Sequence, residues 1–136
     1  MLGSTLFAND DIEVTTLPGE PVVLVVRKPT RVAVGDLERV WGAAVRSFDA
    51  LDRKTSGLIV DVSGTVGRND EDFEKAFAPY RLRLSTGWHA MALVVSSVPG
   101  KLQVQRYARE DGVLVSTFED RDAALAWIRR SLGGPS

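Results

Sequence analysis

Five consecutive apolar residues, Val22-Val23-Leu24-Val25-Val26, constrain this chain more than any other feature. A strand with one wet face alternates apolar and polar side chains. An unbroken, largely β-branched run of strand length is instead buried on both faces. Leu58-Ile59-Val60-Asp61-Val62 and Ala90 to Val95 are likewise short, predominantly apolar segments of the buried-strand type. Several such strands, separated by helical patterns, specify an α/β fold with a central sheet whose later strands are parallel.

The intervening segments set the element order. Ile12 to Thr16 alternates, which predicts a strand with one wet face at a sheet edge. Leu17-Pro18-Gly19-Glu20 is a turn that closes a hairpin onto the Val22 run. Asp36 is the expected N-cap of a helix carrying Leu37, Val40, Trp41, Ala44, Val45, Phe48 and Leu51 at helical spacing. Asn69 or Asp70 is expected to cap a second helix, with Phe73, Ala76, Phe77, Tyr80 and Leu84 as its apolar stripe. Pro79 should kink or end that helix. Lys101 to Glu110 predicts a short helix of poor periodicity, and Val113 to Phe118 the last strand. Asp120 is placed to cap a final helix bearing Ala124, Leu125 and Ile128. The predicted order is ββαβαβαβα, a mixed five-stranded sheet covered by helices. Residues 1–11 form an arm without clear period, 12–132 a single domain and 133–136 a tail.

Composition removes several function classes. With 136 residues, 44% of them hydrophobic, the chain can build one core without staples. It has no cysteine, so disulfides, thiolate metal sites and thiol catalysis are excluded. Seventeen basic residues against eighteen acidic leave no basic footprint for nucleic acid. No apolar stretch approaches the ~18–20 residues that span a bilayer. Met1 to Asp11 lacks a secretory pattern. No membrane insertion and a cytoplasmic location are therefore expected.

The element order resembles the STAS or SpoIIAA-like fold, which includes the bacterial anti-sigma-factor antagonists. The chain is more closely similar to small bacterial proteins described as STAS/SEC14-like. The stretches that carry this likeness are His89 to Val95, Val113 to Phe118, and the helix Asp120 to Ile128 with its Trp127. Antagonists of that family carry a phosphorylated serine in an Asp-Ser-Ser-Gly type sequence after a central strand. Here the place reads Asp61-Val62-Ser63-Gly64-Thr65, so the resemblance implies Ser63 as the candidate phosphosite. The second serine is missing, and a longer loop through Arg68 precedes the helix. The resemblance further implies a non-enzymatic domain acting through protein–protein contacts, regulatory or within an assembly. Its SEC14-like side implies the alternative, a binder of a small-molecule or lipid-like ligand beside the sheet.

Ligands of open α/β sheets sit beyond the carboxyl ends of the parallel strands. Three loops should meet there: Asp61 to Asn69, Ser96 to Gln103, and Phe118 to Arg121. Thr65, Arg68, Asn69, Ser97 and Lys101 are the candidate anion or ligand groups in them, set beside helix starts whose free N–H groups suit an anion. Neither loop matches a P-loop or a dinucleotide fingerprint. Tyr80, Arg81, Arg106 and Tyr107 form a candidate partner surface, the tyrosines as anchors. Leu2, Leu6 and Phe7 would pack across a homodimer interface. His89, the single histidine, has no neighbouring carboxylate or nucleophile and reads as structural. Lys28 and Glu119 stand where a receiver domain needs other residues, which sets aside Asp61 as a phosphoacceptor. No catalytic group, cofactor or metal is expected. An enzyme would require Asp61, Ser63 and Lys101 to converge. In a chain this short the apolar residues are expected to fill the core, leaving no sizeable pocket.

Overall fold

The computed structural model describes residues 3–65 and 71–133. Its centre is the hairpin of β2 (Ile12–Thr16) and β3 (Val22–Arg27), antiparallel from Ile12 opposite Arg27 to Thr16 opposite Val23. Beyond β3 the sheet continues in parallel through β4 (Gly57–Asp61), β5 (Ala90–Val94) and β6 (Ser116–Phe118). On the other side a strand unread in the sequence, β1 (Thr5–Ala8), pairs antiparallel with β2. The sheet therefore has six strands in the order β1-β2-β3-β4-β5-β6. β2 is an interior strand rather than the expected edge. Leu6 and Phe7 pack against the chain's own core rather than standing free as an arm. Leu2 lies outside the described residues.

Three crossovers step the parallel strands in one direction, and the right-handed connection usual for such units puts all three on the same face of the sheet. The first carries a 3-10 turn at Val34–Asp36, a π-helical turn at Glu38–Gly42 and α1 (Ala43–Arg46). The second carries α2 (Glu71–Ser85) and the third α3 (Val98–Asp111). The last helix, α4 (Arg121–Ser131), covers the opposite face. Period-two alternation along β4 divides the core. Leu58 and Val60 point to the crossover side with Val40, Trp41, Val45 and Phe48, whereas Ile59 meets Ala124 and Ile128. All five residues of β4 are buried, the signature of a strand covered on both faces.

Several local expectations change. Asp36 lies inside the 3-10 turn and makes no cap; its carboxylate pairs with Arg39 at 3.5 Å. Pro79 is exposed and α2 runs on to Ser85, since water can serve the carbonyl that proline leaves without an intrahelical donor. The segment from Val113 pairs as strand only from Ser116, and Leu114 is 96% exposed. The weak 101–110 pattern is a full helix of 14 residues, none buried. Asp120 does cap α4, accepting the Ala123 amide at 2.7 Å. Asn69 and Asp70 fall outside the described residues. Among the described residues no helix is long and apolar enough to cross a membrane.

Candidate functional site

α3 shows why its periodicity is poor. It stands off the sheet and is tied to α2 by polar side chains. Arg81 grips Asp111 with two hydrogen bonds, Nε to Oδ2 at 2.7 Å and Nη2 to Oδ1 at 3.0 Å. Its guanidinium carbon lies 4.0 Å from the centre of the Tyr107 ring. The Tyr107 hydroxyl donates to Glu74 at 3.0 Å, and Arg106 donates to the same carboxylate oxygen at 2.7 Å. Burial raises the Tyr107 hydroxyl above its ordinary pKa, and the Glu74 carboxylate adds to the effect. Burial raises the Glu74 carboxyl as well, but the hydrogen bonds from Tyr107 and Arg106 outweigh it and hold this carboxyl below the usual range.

Between α2, α3 and the sheet lies a cavity of about 620 Å³. Trp41, Phe73, Phe77, Leu84, Met91 and Leu93 supply much of its apolar wall. Trp41 and Phe77 are 5.2 Å apart between ring centroids, and Phe73 stacks on Phe77 at 5.8 Å. Val104, Tyr107 and Ala108 form the α3 side. The Arg81–Asp111 pair and Ser85 sit at the end nearer the start of β5. Thr30 and Arg31, after β3, and Gly64 and Thr65, after β4, line the other end. The expectation of a filled core is thus overturned. The polar ties hold α3 at a distance that its few inward apolar residues do not close.

The sequence-selected loop residues gather at the carboxyl end of the sheet. Asp61 is buried, and one of its oxygens accepts both the Ser63 hydroxyl, at 2.6 Å, and the Ser63 amide, at 2.9 Å. Its other oxygen accepts Nε of Arg121, the first residue of α4. Burial raises the Asp61 carboxyl, but Ser63 and Arg121 prevail and leave it below the ordinary range. Ser96 donates to the Ser63 carbonyl at 3.0 Å, so all three loops meet here. A phosphoryl group on Ser63 would face the Asp61 carboxylate, with Arg121 the adjoining cation.

The remaining candidates serve local structure. Thr65 donates to the Val62 carbonyl at 2.8 Å, and Ser97 caps α3 by accepting the Gly100 amide. Lys101 is exposed, and its side chain makes no hydrogen bond or ion pair among the described residues, so it does not converge with Asp61 and Ser63. Arg68 and Asn69 lie outside the described residues. Of the candidate partner surface, Tyr80 donates to Glu38 at 2.8 Å, whereas Arg81, Arg106 and Tyr107 are the α2–α3 ties. The His89 ring lies 2.7 Å from the Ser131 carbonyl, joining β5 to the end of α4. Arg27, Thr30 and Arg31 carry no motif in the sequence that marks them as site residues. Their position depends on packing across the first crossover, for which a single sequence carries no local signal.

The solved structures contain a match over nearly the whole chain. It is an uncharacterized DUF3478-family protein with a SpoIIAA-like fold from Shewanella loihica PV-4, 13% identical, covering 93% of this chain and 91% of that one at a TM-score of 0.54. The fold is SpoIIAA-like. At this identity the likeness extends to architecture alone; the sheet has six strands where the sequence predicts five. No protein-family model matches the chain, nor does any curated protein.

Proposed function

We propose that this SpoIIAA-like domain binds a small, largely apolar ligand in the cavity between α2, α3 and the sheet. The observation that carries the reading is the cavity itself. Its volume of about 620 Å³ falls within the ~300–1,000 Å³ usual for small-molecule sites. Its wall is aromatic and aliphatic, with polar groups at the two ends. Apolar wall left to water costs about 25 cal/mol per Å², a cost that an apolar occupant removes. The test is direct titration with an environment-sensitive apolar dye, followed by calorimetry. Val104→Trp, which fills the α3 side, should keep the native circular dichroism and weaken dye binding at least tenfold. Equal binding by this variant, or none by the parent, would sink the proposal.

Action through protein contacts is the second reading. Val98 and Leu102, one turn apart on α3, are 71% and 60% exposed. Such a patch suits self-association. Size-exclusion with light scattering tests it: a concentration-dependent dimer lost in Leu102→Glu supports it, and a strict monomer at high concentration counts against it.

A further inference from the structure

The charges at the two ends of the cavity differ. At one end Arg81 and Asp111 neutralise each other through their paired hydrogen bonds, and both side chains are 11% exposed. That end offers a ligand no free charge.

The other end is cationic. Arg27, Lys28 and Arg31 stand within five residues at the end of β3. Arg27 is buried, and its guanidinium hydrogen-bonds backbone carbonyls of Asp11, Lys28 and Thr30 together with the Thr30 hydroxyl. Lys28 likewise donates to the Asn9 carbonyl. Carbonyls satisfy these donors without cancelling their charge. The nearby carboxylate, Asp11, is itself held by Thr30 at 2.5 Å and by Arg39 at 3.0 Å. Arg31 lines the cavity, is exposed, and has no hydrogen-bond or ion-pair partner among the described residues. A guanidinium left without a carboxylate beside an apolar slot is matched by a ligand that brings one, in the two-pronged geometry arginine prefers.

The length of the slot limits the rest of the ligand. Strand registers put Val62 four residues beyond the level of Met91 and Val115, all of which line the cavity. Four strand steps are about 13 Å. Carbon–carbon bonds of about 1.5 Å laid in zigzag place roughly ten carbons in that length.

We infer that the ligand is a medium-chain carboxylate, its head on Arg31 and its alkyl chain directed along α2 toward the Arg81–Asp111 pair. This inference rests on the proposed ligand-binding function and adds a head group and a length to it.

Decanoate and decanol, equal in chain and different in charge, are the probes. Each is titrated calorimetrically, below its aggregation limit, into the parent protein, Arg31→Gln and Val104→Trp. The expected result is one decanoate per chain, bound about tenfold more tightly than decanol. Arg31→Gln should lose that tenfold for decanoate and leave decanol within twofold. Val104→Trp should lose both. If both probes bind equally and Arg31→Gln changes neither, the head-group assignment is wrong while the cavity remains a binding site. If neither probe binds but the apolar dye does, the chain-length assignment fails as well. If neither probe nor dye binds, the ligand-binding function itself falls. Arg31 has no hydrogen-bond or ion-pair partner among the described residues, so its substitution should leave the thermal midpoint unchanged, and a circular dichroism melt checks this.

Discussion

Arg81→Met removes the cation from the end of the cavity where Arg81 pairs with Asp111. Asp111 would then keep a carboxylate whose side chain is 11% exposed, with its facing partner gone. Unit charges about 4 Å apart attract by ~4 kcal/mol at an effective dielectric near 20. Breaking one side of a buried pair costs ~3–5 kcal/mol. The pair borders a cavity that solvent can enter, so the lower figure, about 3 kcal/mol, is expected. The lost contact over the Tyr107 ring belongs to the same substitution and adds ~0.5–1 kcal/mol. A domain of this size is stabilised by roughly 5–15 kcal/mol, so the effect is readily measured. Urea unfolding followed by circular dichroism should show a lower midpoint at unchanged slope. Asp111→Leu should cost a comparable amount. The double variant Arg81→Met/Asp111→Leu, with both charges gone, should recover to within about 1 kcal/mol of the parent. Single losses below about 0.5 kcal/mol, or strictly additive losses in the double variant, would refute the role given to this pair.

Two further outcomes follow from the packing and the charges. Gly57→Ala would place a methyl 2.5 Å from Cγ2 of Ile128, where β4 passes under α4, and should cost about 1–3 kcal/mol in a thermal or urea melt; no loss would mean that α4 is free to move away. Stability should fall with acid. Asp11, held mainly by the Thr30 hydroxyl, and Asp61 and Glu74, held by their partners against burial, all have depressed folded-state pKa values. Each contribution is present above the unfolded value near pH 4 and is lost as pH falls through the lower folded value. Melting temperatures from pH 7 to pH 3 should therefore drop below about pH 4–5, less steeply in Asp61→Asn. A flat profile would contradict the assignment.

The elements that the sequence announces most plainly are those with a buried face. The Val22, Leu58 and Ala90 runs became β3, β4 and β5 because strands covered on both sides have no room for polar alternation. Asp120 was legible as a cap because its bond to the Ala123 amide is local. The meeting of the Asp61, Ser96 and Arg121 loops followed from parallel topology alone. β1 was not legible: its four residues have no periodicity and form a strand through pairing with β2. Nor did Asp36 show that its carboxylate would turn to Arg39 instead of capping.

By itself the sequence determined the layer order and the direction of the parallel strands, since burial patterns and crossover handedness are carried by local residues and backbone chirality. The cavity was decided by tertiary structure. Its volume depends on how far α3 stands from the sheet, and that distance is set by Arg81, Asp111, Glu74, Arg106 and Tyr107 meeting across some thirty residues of chain. The charge at its Arg31 end depends on the same kind of closure. Arg27 and Lys28 turn to carbonyls far back in the chain, while Arg31, a few residues on, is left at the rim without a partner among the described residues.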